Sequence, residues 1–272
     1  MISAQTRQQS ISKITVKPFI NNWHRYLDML LLPIVLTLFI ALWQLVVWMN
    51  DYPAFILPTP IDVIYTLNKV LVDGTLWHHT QVTLFEIFAG LTLGITTATV
   101  FGYGLAKSQL LEKILAPYLV AMQSVPVIAV APLIIIWVGS GYLSKVLICA
   151  LMVFFPVLIN TIVGIRSVEP NLHDLMHSLQ ASRWQTFTML ELPAALPILL
   201  GGLKVGVTLS VIGAVVGEFM GANEGLGFLI NQARGLFNTP LVFVAILTLV
   251  IITLFLYGMV TLIEARLLRW RG

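Results

Sequence analysis

The sequence predicts an all-α integral membrane protein with about six transmembrane helices and a short helix–turn–helix between the fourth and fifth. Of the 272 residues, 58% are hydrophobic and only 10% are charged, whereas a typical soluble domain has about 25% charged residues. Several apolar stretches reach the roughly 20 residues that a spanning helix needs. A polar interruption between Arg166 and Glu191 has helical periodicity instead.

Six apolar stretches predict the spans, with five as the alternative. They cover about 27–49, 80–106, 112–138, 143–164, 195–222 and 240–265. The third is the least regular, because Pro117, Pro126 and Pro132 interrupt it and each proline removes a helical hydrogen bond. A broken helix, or a helix followed by a short buried segment, is therefore expected there.

Cationic residues indicate which side of the membrane is cytoplasmic. One side would carry Arg7, Lys13, Lys17, Arg25, Lys107, Lys113, Arg166, Arg183, Arg266, Arg269 and Arg271. The other would carry only Lys69, Lys145 and Arg234. Both termini are therefore predicted to be cytoplasmic, with a tail over 1–26 and one membrane domain over 27–272. No removed signal peptide is expected, because the tail lacks a cleavage site after a short apolar core.

The polar segment is predicted to form two short helices at the membrane surface. The first has an apolar face with i, i+3, i+4 and i+7 spacing, formed by Leu172, Leu175, Met176 and Leu179. Asn171 is its candidate N-cap, and Ser182 with Gln185 fits a capping box for the second helix. Pro193 is expected to end that second helix. An ordered polar element of this kind indicates a binding surface.

Three ionisable residues lie inside or near the predicted spans, where charge is costly. Glu86, Lys204 and Glu218 are candidates for the translocation pathway. The alternative is structural: pairing within the bundle, or a lysine that reaches the membrane interface. No relay of acids and histidines recurs across the spans, which argues against a proton-driven pump.

Glycines recur every four residues in the fifth span, at Gly213, Gly217 and Gly221. Such spacing lets helix backbones approach closely. Packing within the chain is the simpler interpretation; a subunit seam or a pore wall is the alternative.

The residues do not indicate an enzyme or a metal site. His173 and His177 are four apart with Asp174 beside the first, but the stretch offers no third ligand, so a solvated face is expected. The segment ending at Lys107 resembles a phosphate loop, but Ala106 stands where glycine must precede the lysine. Cys149 is expected to be a packing residue.

The helix–turn–helix segment resembles the cytoplasmic coupling motif of permease subunits in binding-protein-dependent ABC importers. That motif reads EAA, three residues, G, nine residues, then I-x-L-P. In this chain the same register is occupied by Asp174, Leu175, Met176, Gln180 and the run Leu190-Glu191-Leu192-Pro193. Asp replaces Glu, Leu-Met replaces Ala-Ala, and Gln replaces the glycine. The resemblance implies that Leu172, Asp174, Leu175, Met176, Leu179, Gln180, Leu192 and Pro193 form the ATPase-coupling surface.

Across nearly the whole chain, the wording is similar to the nitrate, sulfonate, taurine and bicarbonate branch of this family. Within it, the run from Gln123 to Pro132 resembles permeases for vitamins and vitamin precursors, such as riboflavin or the thiamine pyrimidine. Glu86 also stands where the family usually has arginine, which removes a cation that would attract an anionic solute. Both features favour riboflavin or a related heteroaromatic cargo. Nitrate, sulfonate, taurine and bicarbonate are the alternatives.

The resemblance also implies partners. A dimer of cytoplasmic ABC ATPases would use ATP and Mg, while this chain itself would bind no cofactor. A second permease copy and an extracytoplasmic solute-binding protein are expected, at the inner membrane of a bacterium. An ion-coupled secondary carrier is the main rival, but such folds often show inverted repeats, and none is evident here.

Overall fold

A computed structural model describes the backbone of residues 23–269 and the side chains of Leu31 and of residues 33–269. Within these residues every regular element is a helix. The helices are α1 (Trp23–Asn50), α2 (Pro60–Val72), α3 (Thr75–Lys107), α4 (Gln109–Gln123), α5 (Val127–Val138), α6 (Tyr142–Arg166), α7 (Pro170–Ser178), α8 (Arg183–Thr186), α9 (Leu192–Gly221), α10 (Leu226–Gly235) and α11 (Thr239–Leu267). A π-helical turn at Phe187–Glu191 joins α8 to α9. The predicted all-α fold is confirmed.

Contacts divide the chain after Asn50, so that α1 belongs to one unit and α2–α11 form the other. Helix α1 has 28 residues and contains Pro33. One turn later, the Thr37 hydroxyl donates to the Pro33 carbonyl at 2.7 Å. Most of the predicted tail at 1–26 lies outside the described residues, as do the cationic side chains of Arg7, Lys13, Lys17, Arg25 and Arg271.

Five described helical segments are long and apolar enough to cross a membrane, and α4 with α5 forms a sixth candidate that is bent by 92°. The bend lies at Pro126, which is the N-cap of α5. Proline cannot donate the hydrogen bond that a continuous helix would need there. The prediction of five or six spans is confirmed, and the irregular third stretch is a broken pair of helices.

Helix α6 lies at the centre of the bundle and packs along both α3 and α9. Its residues Ile148, Cys149 and Val153 are fully buried. Glycines on the neighbouring helices permit this close packing. A Cβ at Gly94 would lie 2.8 Å from the Ala150 carbonyl oxygen, and one at Gly213 would lie 2.8 Å from the Cys149 Cα. The core is therefore a close-packed α3–α6–α9 layer.

Two predictions about the polar segment are wrong. The N-cap of α7 is Glu169 and the helix begins at Pro170, so Asn171 is already inside its first turn. Proline is well suited to the first helical position because its fixed φ matches the helix. Pro193 also does not end the second helix. The π-helical turn precedes it, and one helical segment continues from Arg183 to Gly221.

Candidate functional site

The α2–α11 bundle has two ends that differ in charge, and α3, α6 and α9 each run from one end to the other. The basic end carries Lys107, Lys113, Arg166, Arg183 and Arg266. The opposite end carries His79, Glu86, Lys145, Glu218 and Glu224. Both ends contain a buried carboxylate with partners from distant parts of the chain.

At the basic end, α7 presents an apolar face that the rest of the chain does not cover. Leu172, Leu175 and Leu179 are 40%, 53% and 67% exposed. Asp174 is also exposed, whereas Met176 is half-buried against the bundle. Two exposed leucines on this nine-residue helix and a third at its C-cap form an apolar patch with a polar border, which is typical of a helix that docks into a groove.

The turn after α7 is built around Gln180, which has a φ of +54°. The Ala181 amide donates to the Met176 carbonyl at 3.0 Å, as in the left-handed turn that commonly closes a helix. The next helix begins with the predicted capping box. The Ser182 amide donates to the Gln185 side chain at 2.7 Å, and the Gln185 amide donates to the Ser182 hydroxyl at 3.2 Å. A glutamine thus occupies the conformation that glycine adopts most easily.

Glu191 anchors this segment to the membrane helices. It is only 1% exposed, and its carboxylate forms an ion pair with Lys107 of α3. The Tyr103 hydroxyl donates to Oε2 at 3.2 Å, and His173 Nδ1 of α7 lies 3.9 Å from Oε1. We call these four residues the Glu191 cluster. His173 is half-buried and also lies beside Glu191, whereas His177 is exposed as expected.

Arg166, the last residue of α6, links three helices at the same end. Its guanidinium pairs with Glu112 of α4. It also donates to the carbonyls of Leu105 and Ala106 on α3, both at 3.3 Å. Arginine near the C-terminus of a helix is also favoured by the helix dipole. Arg166 thus connects α3 with α4 and α6, and the Glu191 cluster connects α3 with α7 and the start of α9.

At the opposite end, Glu218 connects α9 with α3 and α10. The Thr83 hydroxyl donates to Oε1 at 2.6 Å, and the Gly227 amide donates to Oε2. The Leu226 amide in turn donates to the Thr83 hydroxyl at 2.8 Å, and the Gly225 amide donates to His79 Nδ1 at 3.0 Å. Side chains of α3 and α9 therefore satisfy three consecutive amides that α10 cannot satisfy itself.

Glu86 lies beside Glu218, and Lys145 of α6 lies close to both acids. The Lys145 ammonium donates to the carbonyl oxygens of Ser140 and Gly221. A cavity of about 200 Å³ adjoins Glu86 and Lys145. We call Thr83, Glu86, Lys145 and Glu218 the Glu218 cluster. The structure thus brings together two of the three ionisable residues that the sequence singled out.

The third of these residues, Lys204, is not part of that cluster. Its ammonium forms an ion pair with Glu264 of α11 and lies 5.7 Å from the centre of the Tyr257 ring. These contacts fit the structural alternative, in which the lysine pairs within the bundle. They also join α9 to α11.

The predicted glycine stripe packs inside the chain. A Cβ at Gly217 would lie 3.0 Å from Lys145 Cγ, and one at Gly221 would lie 3.3 Å from Ile135 Cγ2. Together with Gly213, these residues bring α9 against α5 and α6. Among the described residues, no group of three or more His, Cys, Asp or Glu side chains is placed to hold a metal ion.

Sequence reasoning missed most members of the two clusters. Tyr103, Lys107 and Glu191 were not considered together, because Lys107 and Glu191 are 84 residues apart. Thr83 and Lys145 were not singled out as site residues. The sequence contained one signal. Glu191 is an acid within an apolar run, and Lys107 is a lysine at the end of the apolar stretch 80–106.

Comparison with known proteins identifies the family. The model of the binding-protein-dependent transport system inner membrane component matches residues 90–269. This range contains α4–α11 and the Glu191 cluster. The chain belongs to the family of ABC importer permeases. It is therefore a membrane subunit of a transporter, as the coupling motif indicated, and a multi-pass protein of the inner membrane.

Several curated relatives of the permease have named transport roles. The riboflavin transport system permease protein of Chloroflexus aurantiacus is 47% identical over 97% of this chain and 99% of that protein. The putative aliphatic sulfonates permease of Bacillus subtilis is 36% identical, with 89% and 87% coverage. The formylaminopyrimidine permease of Halalkalibacterium halodurans is 34% identical, with 85% and 92% coverage.

A solved structure supports the fold. The permease matches a chain from the crystal structure of an amino acid ABC transporter with histidines, with a TM-score of 0.57. The match covers 74% of this chain and 97% of that chain at 18% identity. The arrangement of helices is therefore one that an experimentally determined ABC transporter also has.

Proposed function

We propose that this permease imports riboflavin, using ATP and Mg that a separate ATPase dimer binds. The observation that carries the proposal is the 47% identity to a riboflavin permease across almost the full length of both chains. The formylaminopyrimidine and sulfonate relatives are less similar, at 34% and 36%. A sulfonate is an anion, and the acid Glu86 offers no positive charge that would attract one.

The proposed ATPase-binding surface is the exposed face of α7 and the turn that follows it. Leu172, Leu175 and Leu179 provide the apolar contact, and Asp174 beside them would meet a cation of the ATPase. An amphipathic helix in a groove is a common way to bind a partner. Gln180, Leu192 and Pro193 would fix the orientation of this helix on α9, and Met176 would hold it against the bundle.

The proposed topology places the basic end and both termini in the cytoplasm, with residues 1–26 as a tail and 27–272 as the membrane domain. A solute-binding protein would then deliver cargo at the opposite end. A second copy of the permease would complete the pathway, with Glu86 and Glu218 near its outer entrance. Lys204, which pairs with Glu264, is assigned a structural role in this scheme.

The docking surface is tested with two variants, one that places a carboxylate on the exposed apolar side of α7 and a control that places it on the opposite side. We expect Leu175→Asp to reduce ATP-dependent riboflavin uptake by at least about tenfold, the effect of roughly 1.4 kcal/mol of lost binding. The ATPase should no longer co-purify, although the permease still reaches the membrane. His177→Asp is the matched control, because His177 is exposed on the other side of the same helix. Normal uptake by Leu175→Asp would refute this surface.

The solute is tested separately with the assembled transporter in vesicles. Labelled riboflavin should accumulate only with ATP and the solute-binding protein, and excess unlabelled riboflavin should block this accumulation. Taurine, an alkyl sulfonate and formylaminopyrimidine serve as competitors. If one of these competes and riboflavin does not, the assignment of riboflavin is wrong while the docking surface can still be correct.

A further inference from the structure

We propose that Glu86 and Glu218 share one proton, held between their carboxyl groups at the opposite end of the bundle. The site would bind a proton rather than the transported solute. The inference goes beyond import of riboflavin and does not depend on the identity of the solute.

The contact between the two acids requires a proton. Both side chains are only 1% exposed. Glu86 lies one helical turn after Thr83 on α3, and the Thr83 hydroxyl donates to Glu218 Oε1 at 2.6 Å, so the two carboxyl groups face each other and interact directly. An ionised carboxylate can only accept hydrogen bonds, so two ionised groups cannot form this contact. Two negative charges this close in a buried site would also repel strongly. One proton turns the repulsive pair into a donor and an acceptor.

The surroundings indicate which acid carries the proton. Glu218 accepts from the Thr83 hydroxyl and the Gly227 amide, and it lies at the N-terminus of α10, where a helix favours negative charge. Glu86 Oε2 is buried and receives no donor from any described residue. A buried carboxylate without donors is costly, but a neutral carboxyl group is much less so. Glu86 is therefore the protonated partner and Glu218 the ionised one.

The charges that face the pair agree with one shared proton. Lys145 of α6 is the one described cation that acts on both acids. A pair with a single proton has one negative charge, which Lys145 balances. With no proton, the buried site would have a net charge of −1. The Cys149 thiol on α6 is also buried near both acids, and it adds no charge in its protonated form.

The remaining titratable groups lie around this site. Glu224, in the loop between α9 and α10, accepts from the Tyr142 hydroxyl at 3.0 Å and lies 3.4 Å from His78. His79 uses its Nδ1 to accept from the Gly225 amide at 3.0 Å. These groups are bonded to one another or to α10 rather than to Glu86. Of these groups, Tyr142 and Glu224 line the cavity beside Glu86, and none of them replaces the proton.

A route for proton exchange is present. The cavity of about 200 Å³ is lined by Glu86, Lys145, Tyr142 and Glu224. A water molecule occupies about 30 Å³ in the liquid, so several waters fit beside Glu86. Removing the proton would leave two facing carboxylates that push α3 away from α9 and from the start of α10. The proton thus fastens these three helices together.

Infrared spectroscopy tests the protonation state directly. The difference spectrum of wild type and Glu86→Gln, in detergent at neutral pH, should contain the C=O band of one protonated carboxyl group, shifted in D₂O. The glutamine amide would donate to Glu218 in place of the proton, so this variant is expected to fold. If Glu86→Gln removes a carboxylate band instead, the proposal is wrong.

A thermal titration gives a second test, and its wild-type arm needs no variant at Glu86. As the pH is raised from about 4, where the glutamic acid of the unfolded chain begins to ionise, into the alkaline range, the apparent melting temperature of wild type should fall by at least about 4 °C, the effect of a lost buried hydrogen bond in a chain of this size. Glu86→Gln should not show this fall. Glu224→Gln, the matched control at the exposed rim, should retain it. A wild-type melting temperature that does not change with pH would overturn the proposal. So would recovery of the melting temperature at alkaline pH by Na⁺ but not by choline.

Discussion

The two ends of α9 bury carboxylates in contrasting ways. In the Glu191 cluster, one acid meets a lysine, a phenol and a histidine, so its charge is matched by donors. In the Glu218 cluster, two acids compete for one lysine. The first arrangement is complete as a set of protein groups, whereas the second requires one more positive charge. We assign that charge to a proton.

The clusters also differ in access to solvent. The Lys107 side chain is 43% exposed although its partner Glu191 is buried, so the lysine can be rehydrated if the ion pair breaks. Lys145 and both acids of the Glu218 cluster are buried. Breaking a buried group of this kind leaves charges with little solvent around them. The basic end is therefore suited to repeated rearrangement, and the opposite end to a tighter connection.

The largest expected effect is at the Glu218 cluster. Glu218→Ala removes the acceptor for the Thr83 hydroxyl and the Gly227 amide and leaves Lys145 without its ionised partner. The free energy of unfolding should fall by about 3–5 kcal/mol, measured by denaturant titration in detergent. Glu224→Ala, at the exposed rim, should cost less than about 1 kcal/mol. Equal losses would show that burial does not distinguish these two acids.

An intermediate effect is expected at the Glu191 cluster. Glu191→Ala should lower the free energy of unfolding by about 1–3 kcal/mol, the value of hydrogen bonds to a charged group, since Lys107 can turn to water. Uptake should fall by more than the loss of folded protein accounts for, because α7 loses its link to α3. Glu169→Ala, at an exposed N-cap without a side-chain bond, is the control. A loss as large as that of Glu218→Ala would contradict the comparison.

The smallest effect is expected at the turn after α7. Gln180 has a φ of +54°, a conformation that costs side-chain-bearing residues roughly 1–2 kcal/mol. Gln180→Gly should therefore be up to about 1 kcal/mol more stable than Gln180→Ala, and both should retain the Glu191 cluster. Hydrogen exchange of the α7 amides would measure the difference. If alanine equals glycine, the Glu191 cluster rather than the turn determines the position of α7.

The sequence predicts well what depends on local periodicity. The spans follow from apolar stretches, and the exposed leucines of α7 follow from their spacing. The capping box at Ser182 and Gln185 was predictable because all its atoms come from four consecutive residues. Helix boundaries near proline were not predictable, since both Pro170 and Pro193 fit within the first turn of a helix.

The clusters depend on contacts that local patterns do not contain. Thr83 and Glu218 are 135 residues apart, and their meeting depends on how α3, α6 and α9 pack. The sequence singled out Glu86 and Glu218 because ionisable residues are rare within membranes. It could not show that they face each other, or that Lys204 pairs elsewhere with Glu264.

The uninterrupted helical segment from Arg183 to Gly221 has a mechanical consequence. Its 39 residues span roughly 58 Å at 1.5 Å per residue. Arg183, which follows the turn after α7, and Glu218 thus lie near opposite ends of one helical segment. When this segment tilts as a rigid body by about 5° around its midpoint, its two ends move by roughly 2–3 Å in opposite directions. A small displacement at one membrane face is therefore accompanied by a displacement of similar size at the other.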